Sequence, residues 1–136
     1  MFRHHQLSSD EKDIIIHKQT ERPHSGFYND FHGVGVFVCK KCDLPLYLSQ
    51  NKFSSGCGWP SFDEKILDHV KKIPDEDGVR VEIVCNRCLA HLGHVFEGEK
   101  FTPRDTRHCV NSLSLSFISA FTPEGCQLPL SEGRGL

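Results

Sequence analysis

No run of apolar residues in this 136-residue chain approaches the length of a membrane span. The longest aliphatic stretch is residues 14–16, against the roughly 20 residues a spanning helix needs. Residues 1–10 hold no apolar segment of the kind found in secretory leaders. These absences lead to the expectation of a soluble, cytoplasmic protein with no membrane partner. A basic excess is also missing: 16 Lys and Arg face 18 Asp and Glu, for a formal charge of -2, so nucleic acid is not an expected partner. Internal repetition is confined to a doubled C-x-x-C, and tryptophan to Trp59.

Cysteine, by contrast, is plentiful. There are seven, an odd number, so at least one thiol has no intramolecular disulfide partner. A chain of this length fits one domain, residues 1–136, and buries about two thirds of the surface its unfolded form exposes, so it has no need of disulfides to fold.

Taken in order, Ser8 with Glu11 three residues on makes a capping box. It predicts a short helix running through the three isoleucines and ending before Pro23. Residues 20–28 read as loop. A strand at 33–38 delivers Cys39, and a second at 44–48 leads away from Cys42. Residues 53–62, with Gly56, Cys57, Gly58, Trp59 and Pro60, form an exposed, shaped loop. Residues 66–73 and 79–84 read as a hairpin around 74–78, with Val79, Val81 and Ile83 facing inward and Arg80 and Glu82 on a wet outer face. Its second strand delivers Cys85. Residues 107–117 read as one half-buried strand: Arg107, Cys109, Asn111, Leu113, Leu115 and Phe117 share a face, with Ser112, Ser114 and Ser116 on the other. Residues 122–136 look like a loosely held tail. The class is mainly β, with a short N-terminal helix.

Cys39 with Cys42, and Cys85 with Cys88, form two C-x-x-C pairs, each at a strand end. A two-residue spacer lets both sulfurs of a turn reach one ion, so four thiolates can surround a single structural zinc that joins two hairpins. Two redox-active pairs, or four free buried thiols, are the alternatives. Neither pair has a thioredoxin-like strand–helix setting, and zinc is the reading preferred. A site of this kind contributes about 10 to 16 kcal/mol, comparable with the ~5 to 15 kcal/mol net stability of a whole domain.

Cys57, Cys109 and Cys126 remain. A free thiol is only a few per cent thiolate at neutral pH, and the fixed charge of Arg107, two residues from Cys109 on the expected face, favours the thiolate. Asn111 on the other side offers an amide donor. The competing reading is a cysteine packed in a core strand. Cys57 in its glycine-flanked loop suits a thiol that must approach another sulfur. Cys126 has no such surroundings and is read as a bystander. Four sulfurs complete a tetrahedron, so His91 and His94 are free to donate protons or hydrogen bonds at a pocket. Trp59 can be core, but beside Gly and Pro in a loop it makes a flat apolar wall for a small substrate.

Four segments in this order carry a resemblance: Cys39-Lys-Lys-Cys42, Ser55-Gly-Cys57-Gly-Trp59-Pro-Ser-Phe62, Cys85-Asn-Arg-Cys88-Leu-Ala-His91-Leu-Gly-His94-Val-Phe96 and Arg107-His-Cys109-Val-Asn111-Ser. Together, over about residues 20–121, they resemble the methionine-R-sulfoxide reductases of the B type. The resemblance implies two antiparallel sheets in a sandwich or barrel-like arrangement, with a zinc site remote from the chemistry. It implies reduction of methionine-R-sulfoxide, in proteins or free, with thioredoxin as the recycling partner; a monomer is expected. It makes Cys109 the nucleophile and Cys57 the resolving cysteine, and puts Trp59, His91, His94, Val95, Arg107 and Asn111 at the substrate pocket. Where the family carries an acidic residue followed by Gly-Pro, this chain has Glu97-Gly98-Glu99-Lys100, leaving either carboxylate to support the site. His108 stands where the family has an aromatic. The competing class, a zinc-stapled binding module, needs neither Cys57 nor Cys109.

Overall fold

The capping box forms as its spacing predicts. The computed structural model describes residues 4–120 and has α1 at Ser9–Ile15, where the Ser8 hydroxyl accepts from the Glu11 N–H and the Glu11 carboxylate accepts from the Ser8 N–H. Nine strands follow: β1 Gly35–Cys39, β2 Pro45–Leu48, β3 Lys52–Phe53, β4 Ser61–Phe62, β5 Val70–Pro74, β6 Val81–Cys85, β7 His91–Glu97, β8 Thr106–Val110 and β9 Leu115–Ser119. They make two antiparallel sheets, one in the order β2-β1-β9 and one in the order β3-β4-β8-β7-β6-β5. The expected mainly-β class with two antiparallel sheets and one short helix is what forms.

Strand β1 is the middle of the smaller sheet and is buried on both faces, which explains its unbroken run Gly-Val-Phe-Val-Cys. Phe37 and Cys39 enter the main core, whereas Val36 and Val38 pack on the other side with Ile66 and Leu48. The sheets meet through aromatic rings. Phe37 of β1 lies 5.1 Å from Phe62 of β4, and Tyr47 of β2 stacks on Phe62 at 4.3 Å. Each such ring removed from water contributes roughly 1.5 to 3 kcal/mol.

Two expectations need correction. Residues 107–117 are not one strand. β8 ends at Val110 in the larger sheet, a 3-10 turn covers Ser112–Ser114, and β9 begins at Leu115 in the smaller one. The apparent period of two misleads because Ser112 and Ser114 are buried too, each with a hydrogen bond: Ser112 Oγ accepts from the Tyr28 N–H at 3.1 Å, and Ser114 Oγ donates to the His91 carbonyl at 2.8 Å.

The hairpin of β5 and β6 forms and Ile83 is buried as expected, but the alternation does not hold along β6, which is covered on both faces from Glu82 onward. Val79 is 84% exposed, whereas Glu82 is 4% exposed. Glu82 lies on the face covered by the N-terminal segment, where Lys18 Nζ meets its Oε1 at 3.2 Å. The predicted tail at 122–136, with Cys126, lies outside the described residues.

Candidate active site and metal centre

The two C-x-x-C turns are built alike. The Cys39 N–H donates to the Leu44 carbonyl at 2.9 Å and the Cys85 N–H to the Ala90 carbonyl at 2.9 Å. The Asp43 N–H returns to the Cys39 carbonyl at 2.8 Å and the Leu89 N–H to the Cys85 carbonyl at 2.9 Å. Asp43 and Leu89 take the left-handed conformation in equivalent places, with φ of 67° and 64°. One turn closes the β1–β2 hairpin and the other the β6–β7 hairpin, one in each sheet. All four sulfurs lie within 4.8 Å of one another, with Cys39 to Cys88 at 3.5 Å and Cys42 to Cys85 at 3.6 Å.

Such a cluster can hold one metal ion and clamp sheet to sheet. The sulfurs do not titrate independently. Hydrogen bonds to Cys85 and Cys88 push Cys39 far up, while bonds from Cys39 and Cys88 pull Cys85 down to about 2. A bound dication is the charge that lets all four be thiolates.

The second site is a polar row across four strands of the larger sheet. Register sets Ser61 of β4 beside Cys109 of β8, Cys109 beside His94 of β7, and His94 beside Glu82 of β6. Directly opposite residues share a face, so these side chains line up without help from sequence proximity. The Cys57 loop folds back over the row, bringing Cys57 Sγ to 3.6 Å from Ser61 Oγ and 3.5 Å from the Trp59 carbonyl. Gly58 permits this with a φ of 100°, and a side chain there would press on Pro23. A cleft of about 120 Å³ opens at the row, with Cys57, Trp59, His94, Arg107, Cys109 and Asn111 among its lining.

The two cleft thiols shift each other in opposite directions. The hydrogen bond from Cys109 pulls Cys57 down to about 4; that same bond, then burial, pushes Cys109 up, with the Arg107 charge acting against both. Arg107 is itself held firmly. Its Nε and Nη2 meet Glu99 Oε1 and Oε2 at 2.7 and 3.2 Å, and its guanidinium lies 4.6 Å above the Phe96 ring, its cross-strand partner. Of the two carboxylates left open by the sequence, Glu99 therefore supports the site, while Glu97 faces solvent beside Lys72. His108 points away from the cleft into the core, where its Nδ1 pairs with the Tyr47 hydroxyl at 2.8 Å, and burial pushes it down to about 4.

Not every expected pocket residue reaches the cleft. His91 and Val95 are absent from its lining. Val95 packs in the core. His91 lies behind His94, ring centroids 5.8 Å apart, with Nδ1 paired to Glu82 Oε2 at 2.8 Å. Its Nε2 is buried with no hydrogen-bond partner among the described residues, and burial shifts it toward the neutral form. Asn111 lines the cleft, but its amide does not serve Cys109: Oδ1 accepts from the Glu21 N–H at 3.0 Å and Nδ2 donates to the Leu92 carbonyl at 3.0 Å.

The sequence reading missed Glu21, Asp75 and Glu82. Asp75, in the hairpin turn, meets His94 Nε2 at 2.6 Å. The one available signal was Glu82, a lone acid inside the apolar run Val81-Glu82-Ile83-Val84.

Residues 7–119 match the SelR domain, a span that takes in α1 as well as both sheets. The chain is 53% identical over 115 residues to the peptide methionine sulfoxide reductase B5 of Oryza sativa subsp. japonica, covering 84% of this chain and 85% of that one. It is 50% identical over 115 residues to the B5 protein of Arabidopsis thaliana, covering 84% and 83%. It is also 50% identical over 119 residues to the chloroplastic B2 protein of Arabidopsis thaliana, covering 87% of this chain and 57% of that one.

Proposed function

Because the chain belongs to the SelR-domain family, the peptide methionine sulfoxide reductases of the B type, we propose that it reduces the R epimer of methionine sulfoxide, in proteins and free, with Cys109 as nucleophile and Cys57 as resolving cysteine. The observation that carries this reading is the flanking of Cys109 by the Cys57 loop on one side and His94 on the other, within one cleft walled by Trp59.

The Cys109 thiol gives its proton to the neighbouring Cys57 thiolate, against the direction in which their contact holds the two groups, and the resulting Cys109 thiolate attacks the sulfoxide sulfur. The S–O bond to the substrate breaks, one proton is taken up, and methionine leaves while Cys109 becomes a sulfenic acid. His94, which lines the cleft, is the proton donor, with His91 and Glu82 behind it as a second relay. The Cys57 thiol then condenses with the sulfenic acid, forming the Cys57–Cys109 disulfide and one water. Thioredoxin, a dithiol, takes up the oxidising equivalents and restores both thiols. Trp59 walls the substrate methyl group, and the Arg107 charge, fixed by Glu99, favours the thiolate.

The metal is zinc, one per chain, on Cys39, Cys42, Cys85 and Cys88. Four thiolates suit its softness and tetrahedral geometry, and its role is structural. The enzyme acts as a monomer in the cytoplasm, which sedimentation and cell fractionation test. Among the described residues no helix is long and apolar enough to cross a membrane.

The deciding experiment is a quench assay without reductant on separated R and S sulfoxides. The wild type should form methionine from the R epimer alone. Cys109→Ser should form none, and Cys57→Ser should release about one methionine per site and then stop without a disulfide. If Cys57→Ser keeps full turnover with thioredoxin, Cys57 is not the resolving cysteine.

A further inference from the structure

The strap of residues 20–28 crosses the site from outside, and one residue in it touches both walls of the cleft. The Glu21 N–H donates to Asn111 Oδ1 at 3.0 Å, and the Glu21 carbonyl accepts from Trp59 Nε1 at 3.0 Å. Its carboxylate Oε2 accepts from the Leu113 N–H at 2.6 Å, beyond the end of β8.

The strap is pressed tightly into place. A side chain at Gly26 would overlap Ser112 Oγ and stand 2.7 Å from Glu21 Oε1. On the other flank the His24 N–H donates to the Gly58 carbonyl at 2.7 Å, so the Cys57 loop is tied to the strap at two points.

We propose that Glu21 is a positioning residue: its carboxylate anchors the strap on the Leu113 N–H, so that its own backbone N–H and C=O fix Asn111 and Trp59 on opposite sides of the cleft. The physical case rests on what the partners lack elsewhere. Trp59 Nε1 is a donor with one hydrogen, and it is spent on the Glu21 carbonyl. With that bond absent the indole turns about its own side-chain bonds, and the flat wall of the cleft is lost. Anchoring by a buried carboxylate fits the task because a charge-assisted bond to a backbone N–H is short and strong.

This inference rests on the reductase reading for its kinetic arm, but the spectroscopic arm does not. Trp59 is the sole tryptophan, so its fluorescence reports the indole directly, in substrate-free enzyme. In Glu21→Ala the emission should shift to the red and quenching by acrylamide should increase. With the R sulfoxide, KM should rise about fivefold to tenfold, the equivalent of one net hydrogen bond, with kcat changing less. Glu21→Gln keeps an oxygen for the Leu113 N–H and should recover both properties.

Wild-type emission and wild-type KM in Glu21→Ala would overturn the proposal. Should that variant fail to fold, Glu21→Gln and Glu21→Asp decide the matter, since aspartate keeps the charge but withdraws it by one methylene. Glutamine nearer the wild type in emission and KM supports anchoring by reach, and aspartate nearer the wild type refutes it. A wild type inactive on the sulfoxide would overturn the reductase reading instead and leave the emission test intact.

Discussion

Gly93→Ala should be the most damaging change of one carbon in the larger sheet. Gly93 faces Val110 across β7 and β8. A Cβ there would overlap the Cys109 carbonyl oxygen, 3.0 Å from the carbonyl carbon and 3.2 Å from Val110 Cα. All three are backbone atoms, and β8 cannot retreat, because β4 holds its other edge and the Val110 N–H is bonded to the Pro60 carbonyl at 3.0 Å. Overpacking of this kind costs about 1 to 3 kcal/mol, and at least one strand hydrogen bond, worth about 1 kcal/mol, is lost with it. The expected destabilisation is about 3 kcal/mol. With a urea slope of roughly 2 kcal/mol per molar, the midpoint should fall by roughly 1.5 M. The assay is urea unfolding followed by Trp59 emission and circular dichroism, with metal in excess. Gly98→Ala is the comparison: its φ is 87° but nothing lies within 4 Å, so only backbone strain of about 1 to 2 kcal/mol applies. Turnover of Gly93→Ala should fall too, since His94 and Cys109 are adjacent in the same register. If Gly93→Ala is no less stable than Gly98→Ala, the close approach of β7 and β8 is wrong.

Metal removal should unfold the protein rather than merely silence it. Metal analysis should find one zinc per chain, lost in the double variant Cys85→Ser, Cys88→Ser; zinc retained there would exclude the four-sulfur site. Glu99→Gln should lower kcat/KM several-fold by loosening Arg107, and Glu97→Gln should leave it unchanged; equal effects would refute the assignment. His108 is pushed by burial from its ordinary value to about 4, with Lys65 and Lys72 adding to the shift and Asp63 opposing it. The unfolded chain therefore binds the extra proton first, so this stability, about 3 kcal/mol at most, is complete above pH 6.5 and is lost as the pH falls toward 4. In His108→Phe the stability measured between pH 6.5 and 4 should vary less than in the wild type, even though the orphaned Tyr47 hydroxyl lowers its absolute value; an unchanged slope would refute the burial argument.

What could be read from the sequence was what is written locally. The capping box at Ser8 and Glu11 and the two C-x-x-C turns depend on residues three apart, and each formed with the expected partners. The polar row of the cleft depends on register across four strands, which no local pattern encodes. Glu82 was assigned to solvent because alternation was taken to mean one bare face, whereas both faces of β6 are covered at residues 82–84, the Glu82 side by the N-terminal segment some 64 residues away. The serines at 112 and 114 were misread for the same reason: their partners Tyr28 and His91 lie 84 and 23 residues off. Glu21 had no signal at all, since two of its three partner bonds run from its backbone.

The smaller sheet pairs β1 with β9, so the strand formed near the start of the chain waits for the one near its end. That wait is a matter of time as well as energy, because distant pairings are slow to find. The metal turn at Cys39 needs only Cys85 and Cys88, which emerge from a ribosome well before β9 does. An ion captured at that stage closes a loop of 49 residues, the separation of Cys39 and Cys88, and holds the waiting β1 edge beside the growing larger sheet. Metal supply during synthesis would then govern how long an unpaired, apolar strand edge is left open to other chains.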